Sequence, residues 1–510
     1  MYTDIISNTL EKFHSYLSRN SSFCRNHPAA RVSAFWSEHF NDRVNFPSLQ
    51  DFLVFRRSDF VYGIGDTKKS SIEQKLKEFE KTLKTIELFV PKEFLRSLRE
   101  PCVGAPLVFQ NDGTSQSTSF VLNAGTTWRI SELIRTFGPK RRPLNLCEIG
   151  AGWGACAYQL HQAMDIGSYT VLDLPENLCL SSTYLSATLQ DKSSIFVDCA
   201  EAEAGAPKAG HLYFALPPAI DNLPGRYDVI LNTVSFQEMD KETVSAYFSW
   251  ANRSLAEDGI LISFNSHDKE GVKRPSEYLT DDFSLLHLLP FRKIPAGFFN
   301  TVPYEMVFSR KRGKGDESLP VAVDALGEMM QLGLDADLAP TAQRALCGQL
   351  DSSEKHSLAR IREFFYPSSE EARKQLINTL VENHRSSVLL YLRGNLRMAC
   401  GDFSGARLDL EQCLELGLND FARVRAKTML ALIYQKTKEW EQHRTELLSD
   451  LKQSSAGLYP EIAHILETLD VSSMQIHISR VLDYPLATRS FMSRLIKVIG
   501  GFLREVLQKK

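Results

Sequence analysis

A doubly wound, mostly parallel α/β sheet with a late antiparallel strand is the core that this sequence predicts, between a mainly helical N-terminal region and an all-α C-terminal domain. Three observations carry that reading. Apolar runs alternate with helical stretches from Ile130 to about residue 310. A glycine cluster, Gly150, Gly152 and Gly154, sits between the first run and its helix. After the polar, glycine-containing stretch RKRGKGDES (Arg310–Ser318) the pattern becomes helical and repetitive. Strand and helix in alternation require crossover connections, which lay parallel strands side by side with helices on both faces.

The run LNLCEI (Leu144–Ile149) reads as the first buried strand and ACAYQLHQAM as the helix after its glycine turn. SYTVLDLPE supplies the second strand, with Pro175 placed to start the next helix. HLYFAL (His211–Leu216) reads as the third, with SIFVDCA (Ser194–Ala200) as its rival, and RYDVILNTVSF as the fourth. Asp240 caps the amphipathic DKETVSAYFSWANRSL before GILISFN (Gly259–Asn265), the fifth strand. FSLLHLL and YEMVFSRK complete the sheet, the last as the antiparallel member. Upstream, IEQKLKEFEKTLKTIELF (Ile72–Phe89) is helical, and EPCVGAPLVFQNDGTSQS reads as an irregular, turn-rich segment. The chain is thereby expected to divide into residues 1–120, mainly helical; 121–312, the sheet domain; 313–319, a linker; 320–480, helical repeats; and 481–510, an amphipathic terminal helix.

The repeat signal is an offset. EARKQLINTLVEN begins at Glu371 and GARLDLEQCLELG at Gly405, which superposes Ala372 on Ala406, Leu376 on Leu410 and Leu380 on Leu414, 34 residues apart each time. That is the period of tetratricopeptide repeats. Gly394, Gly401, Phe403, Ala406 and Leu410 fall where such a unit wants a small residue, a turn, an aromatic, a small residue and a core apolar. A weaker copy, ALIYQKTKEWEQHRTEL, follows. A generic helical bundle is the alternative.

At 510 residues, 43% hydrophobic and 24% charged, with a net charge of -3, the chain has the composition of a globular protein and no global basic field to draw it onto nucleic acid. Its nine cysteines show no C-x-x-C and no Cys/His pairing pattern, so neither a zinc site nor a disulfide framework is expected. The N-terminal stretch carries Asp4 and Glu11 and lacks an apolar signal core, and no eighteen consecutive residues are apolar; the expected location is cytoplasmic. GIGDTKK (Gly63–Lys69) lacks phosphate-loop spacing and reads as an ordinary turn.

LCEIGAGWGACAYQL satisfies two patterns at once. Gly150, Gly152 and Ala155 fit the dinucleotide pattern G-x-G-x-x-G/A, while Glu148, Gly150, Gly152 and Gly154 fit the E/D-x-G-x-G-x-G of S-adenosylmethionine (SAM) sites. Glu148 discriminates: a carboxylate repels a pyrophosphate but favours the cationic amino-acid end of SAM. Asp173, with Leu174 beside it, stands 21 residues after Gly152 and suits ribose hydroxyls in either reading. Asn232, at the end of the fourth strand, completes the expected cofactor-binding set.

The segment from Ile130 to Lys311 resembles class I SAM-dependent methyltransferases, whose sheet is Rossmann-like. More narrowly it is similar to the sugar O-methyltransferases of bacterial surface-polysaccharide loci. The resemblance rests on LCEIGAGWGACAYQL, YTVLDLPENLCLSSTYLS and YDVILNTVSFQEM, with FWSEHF and the loop Gly104–Pro106 loosely similar. It implies transfer of a methyl group from SAM to a sugar hydroxyl, in polysaccharide or glycan biosynthesis. The C-terminal 190 residues lie outside it and read as an added module for protein partners.

Catalytic groups in this fold lie beyond the carboxyl ends of the strands. That rule points to Asn232, Ser235, Gln237 and Glu238 after the fourth strand, and to Asn265 and His267 after the fifth. His267 is the candidate base, since imidazole titrates nearest neutrality; Glu238 either orients a hydroxyl or caps the next helix. Asp240 and Asp268 are too weak a pair to suggest a metal. Trp128, Tyr158, Phe298, Phe299, Asn300 and Tyr304 are available for a sugar, though most read as core. A phenolic or polyketide hydroxyl is an alternative acceptor, and a non-catalytic repeat adaptor an alternative role. In ATRSFMSRLIKVIGGFLREVLQKK, Phe491, Leu495, Ile499 and Phe502 oppose Arg494, Lys497, Arg504 and Lys509. Such a helix either lies on an anionic membrane surface or caps the last repeat.

Overall fold

The computed structural model describes residues 2–23, 27, 29, 48–57, 71–200, 206–266, 272, 274–291, 303–311, 317–331, 335–366, 375–379, 381, 387–399, 401–418 and 420–453. FWSEHF, GIGDTKK, His267, Asp268, the aromatic cluster at 298–300 and the terminal helix lie outside the described residues. The chain forms two compact units, Met1–Lys293 with Pro303–Gly315, and Ile294–Val302 with Asp316–Lys510.

In the first unit, helices α1 (Tyr2–Asn20), α2 (Leu49–Leu53), α3 (Ile72–Ile86) and α4 (Lys92–Ser97) precede a hairpin, β1 (Phe109–Asn111) and β2 (Thr114–Gln116), and the long helix α5 (Thr118–Phe137). The hairpin corrects the irregular reading of that stretch. Asn111 pairs with Thr114, and Asp112 and Gly113 both take positive φ (46° and 80°), as a two-residue Asp-Gly turn requires. Then come β3 (Leu144–Ile149), α6 (Ala155–Ala163), β4 (Ile166–Leu172), α7 (Pro175–Thr188), β5 (Ser193–Phe196), β6 (His211–Ala215), β7 (Tyr227–Thr233), α8 (Lys241–Ser254), β8 (Leu255–Asn265), β9 (Phe283–Pro290) and β10 (Tyr304–Arg310).

The eight-stranded sheet is ordered β5-β6-β4-β3-β7-β8-β10-β9. It is a doubly wound, mostly parallel α/β sheet, and β10 runs antiparallel between β8 and β9. The rivalry for third strand resolves into both: His211–Ala215 pairs with β4, and Ser193–Phe196 pairs parallel to it at the edge. The fifth strand starts at Leu255, four residues ahead of the glycine where the apolar run begins.

The N-terminal helix shares the sheet's core. Phe13 and Tyr16 of α1 are 0% and 1% exposed and lie against Phe196 of β5, the Tyr16 hydroxyl accepts the Leu216 N–H at 3.0 Å, and Asn20 takes the Cys199 N–H at 2.8 Å. Helix α5 is clamped to β10 by Arg129, whose Nε and Nη2 grip Glu305 at 2.7 and 2.6 Å.

The second unit contains α9 (Leu319–Gln331), α10 (Asp335–Leu346), α11 (Ser352–Phe365), α12 (Ser387–Ala399), α13 (Phe403–Glu415), α14 (Asp420–Lys436) and α15 (Trp440–Gln453). Helices α12 and α13 pack tightly because Gly394 lets Leu410 approach; a Cβ there would lie 2.9 Å from Leu410 Cγ. Gly401 turns the chain at φ +81°, Asp402 caps α13 through the Gly405 N–H at 2.9 Å, and Asp409 holds Arg393 and Arg397 across the pair. Among the described residues, no helix is long and apolar enough to cross a membrane.

Candidate cofactor site

The carboxyl ends of β3, β4, β7 and β8 meet at one rim. Between β3 and α6 the backbone turns left-handed three times, at Gly150 (φ +73°), Gly152 (+59°) and Gly154 (+90°), which L side chains rarely tolerate. The glycines differ in what surrounds them. A Cβ on Gly150 would overlap the Ser235 hydroxyl and one on Gly154 would press on Leu185, whereas one on Gly152 would meet nothing within 4 Å. The loop is thus packed on two sides and open at its middle.

Two carboxylates flank it. Glu148, 1% exposed, accepts the Tyr169 hydroxyl on Oε2 at 2.7 Å, while Oε1 is buried without a partner among the described residues. Burial pushes its pKa up to about 7, against the Tyr169 hydrogen bond and with a push from Asp173. Asp173, at the tip of β4, accepts the Gly152 N–H at 2.8 Å on Oδ2, and the Leu174 N–H at 2.7 Å and the Asn177 amide at 3.3 Å on Oδ1. Burial lifts its pKa to about 7 despite those donors. Tyr169, which opens the stretch YTVLDLPENLCLSSTYLS but to which the sequence assigns no role, is raised well above the usual phenol value by burial and by Glu148. Its ring lies 5.6 Å from that of His161, whose pKa burial lowers to about 4.

Asn232 has every polar site occupied within the protein. Its amide nitrogen donates to Ile149 O (2.9 Å) and Ser235 Oγ (2.5 Å), and its oxygen accepts from Phe236 N (3.0 Å) and Asn265 Nδ2 (2.8 Å). It therefore fastens the glycine loop to β7 and β8 and has no free group for a ligand. Gln237 continues the network, accepting from Ser266 N and Oγ at 2.9 and 2.6 Å. Glu238, half-buried at the end of the turn Phe236–Glu238, sits on this rim; Asp240 supplies the cap of α8, through the Thr243 N–H at 2.7 Å. Just before that turn Val234 takes φ +63°, a strained value for a β-branched residue.

Of the aromatics considered for a sugar, Trp128 packs against Phe94 (4.9 Å) and Arg135, Tyr158 donates to Arg99 O (2.9 Å), and Tyr304 is fully buried on β10. These are core placements. No group of three His, Cys, Asp or Glu that would hold a metal occurs among the described residues.

No family model matches this chain, and no curated protein matches it. Solved structures similar to it include the pyocyanin biosynthetic protein PhzM (12% identity, TM-score 0.26, covering 38% of this chain and 58% of that one). The mitomycin 7-O-methyltransferase MmcR (13%, 0.24, 38% and 57%) and a SAM-dependent methyltransferase of Leishmania major (13%, 0.28, 46% and 83%) are others. The chain spans under three fifths of PhzM and MmcR. Likenesses this distant carry no functional argument, which rests instead on the site.

Proposed function

We propose that this chain is a SAM-dependent O-methyltransferase acting on a sugar hydroxyl. What supports the cofactor is the pair of buried carboxylates around a glycine loop open at Gly152. A carboxylate has about four acceptor positions, and Asp173 uses three, leaving room for a ribose hydroxyl. Glu148 keeps a buried acceptor without a donor, and a cationic amino group near it would favour its ionised form. A pyrophosphate at the loop would be repelled by Glu148, whereas Asp173 suits a nucleoside in either case. SAM supplies an electrophilic methyl group. The chain's part is to orient the acceptor oxygen and take its proton, and Glu238 and His267 are the groups proposed for that.

The sugar and its place in polysaccharide assembly come from the sequence resemblance alone. The helix pairs of the second unit are proposed as tetratricopeptide-like repeats that bind protein partners, and the amphipathic stretch 481–510 as either a cap on the last repeat or a contact with the cytoplasmic face of a membrane. Equilibrium dialysis with labelled SAM tests the core of the reading. Binding, followed by methyl transfer to a sugar acceptor, supports it. Transfer only to phenolic acceptors replaces the sugar; no binding leaves the adaptor role.

A further inference from the structure

Arg56 belongs to the short turn Phe55–Arg57, far in sequence from the glycine loop, and is 2% exposed. Its guanidinium lies 4.5 Å from the centre of the Trp153 ring. Trp153 is the one large side chain between Gly150 and Gly154, so it adds a side-chain hold on a backbone that Asp173 and Asn232 hold by hydrogen bonds. The ring is boxed by Phe55 at 5.9 Å and Tyr184 at 4.9 Å.

One nitrogen of Arg56 is fully committed. Nη2 pairs with Glu100 at 2.5 Å and donates to Ser117 and Ser119 at 3.0 and 3.1 Å, and Ser117 caps α5 through the Phe120 N–H. Nε and Nη1 are buried and have no hydrogen-bond partner among the described residues. Unpaired donors on a buried cation are costly and uncommon. Among the described residues, what the guanidinium has besides its Nη2 bonds is the indole face, whose π electrons attract a cation. Gly104 makes the arrangement possible. Its carbonyl accepts the Arg56 N–H at 3.2 Å, and a Cβ there would fall within 2.7 Å of both the Phe55 ring and Arg56 Cγ.

We infer that Arg56 is a positioning residue for the cofactor loop, acting through Trp153 to hold Gly152 where its N–H meets Asp173. The inference rests on the proposal that this loop holds SAM. It explains why a buried cation is stacked on the loop instead of being hydrogen-bonded throughout, and it gives a role to the Gly104 turn that the chemistry of transfer leaves unused.

The test uses full-length protein, with the SAM dissociation constant read by calorimetry and the ligand-free melting temperature read in parallel. Arg56→Lys keeps the charge but loses the planar face, and should bind SAM about tenfold more weakly, or about 1.4 kcal/mol. Trp153→Leu should lose as much, and Trp153→Phe, which keeps a ring, less. The double variant Arg56→Lys/Trp153→Leu should bind no more weakly than Trp153→Leu alone, because the arginine acts through the ring. An Arg56→Lys protein with a lowered melting temperature and unchanged SAM affinity overturns the inference, as do additive losses in the double variant. If Arg56→Lys does not fold, the Phe and Leu variants of Trp153 decide, and equal affinities in those two overturn it. Wild-type protein that takes no SAM fails the cofactor reading itself, and the inference with it.

Discussion

Gly152→Ala separates the loop's role in folding from its role in binding. Gly152 sits at φ +59°, and a Cβ built there meets no atom of the described residues within 4 Å, so no steric term arises from them. The remaining cost is that of placing an L side chain in the left-handed region, about 1–2 kcal/mol. For a large unit each kcal/mol moves the melting temperature by about 2–4 °C, so a fall of roughly 2–8 °C is expected with circular dichroism unchanged. The same methyl group enters the open side of the loop, where the cofactor is proposed to lie. SAM affinity by calorimetry should therefore drop by more than about tenfold. Gly150→Ala is the contrast, since its Cβ would come within 2.6 Å of Ser235 Cβ and should damage the fold itself. Wild-type affinity in Gly152→Ala would show that the open side of the loop is not the binding face. An unfolded Gly152→Ala would refute the openness.

Glu148 and Asp173 make stability depend on pH with a definite sign. Both titrate near 7 in the folded protein, above their ordinary values, so the stability they contribute is full below about pH 4 and is lost as pH rises through 7. The slope is about 1.4 kcal/mol per pH unit for each group between about pH 5 and 7, and Glu148→Gln should flatten it in ligand-free melts. SAM binding should strengthen over the same range, because a cationic ligand favours the ionised carboxylates; a dissociation constant flat from pH 5.5 to 8 would remove Glu148 from the site. For the proton, His267→Ala should lower kcat by about 10²- to 10⁴-fold with SAM affinity kept, and near-normal turnover would shift the base to Glu238. Protein ending at Ser318 should keep SAM binding yet lose the partners that full-length protein recovers from its native cell; identical recoveries would exclude the helices of the second unit as the binding surface.

The sheet was legible because a buried strand announces itself locally. LNLCEI is β3 to the residue, and the runs at 211, 227, 283 and 304 each became a strand. Pairing was less so. That Ser193–Phe196 and His211–Ala215 are both strands, side by side, depends on which neighbour each finds, and no periodicity records that. The hairpin at Asn111–Thr114 had a usable signal in its Asp-Gly pair, masked by the turn formers around it. That the glycines, Glu148 and Asp173 gather at one rim could be read from spacing alone. The side chains that set their environment could not: Tyr169 reaches Glu148 from 21 residues away and Arg56 reaches Glu100 from 44, contacts that only the folded chain creates. Asn232 shows the converse, a polar residue in the expected place whose capacity is used up by the scaffold.

Val234 is where rigidity and performance part company. A valine held at φ +63° between β7 and the turn bearing Glu238 is a spring wound by its neighbours, among them the Phe264 carbonyl that takes its N–H at 2.8 Å. Glycine at this position would release that tension and leave a sturdier protein, since a left-handed residue without a Cβ carries little penalty. It would also let the turn drift, and with it Glu238, the group proposed to face an acceptor. Selection for heat resistance alone would thus be drawn to this codon, and the survivors would be stable proteins whose Glu238 turn is no longer held in one place.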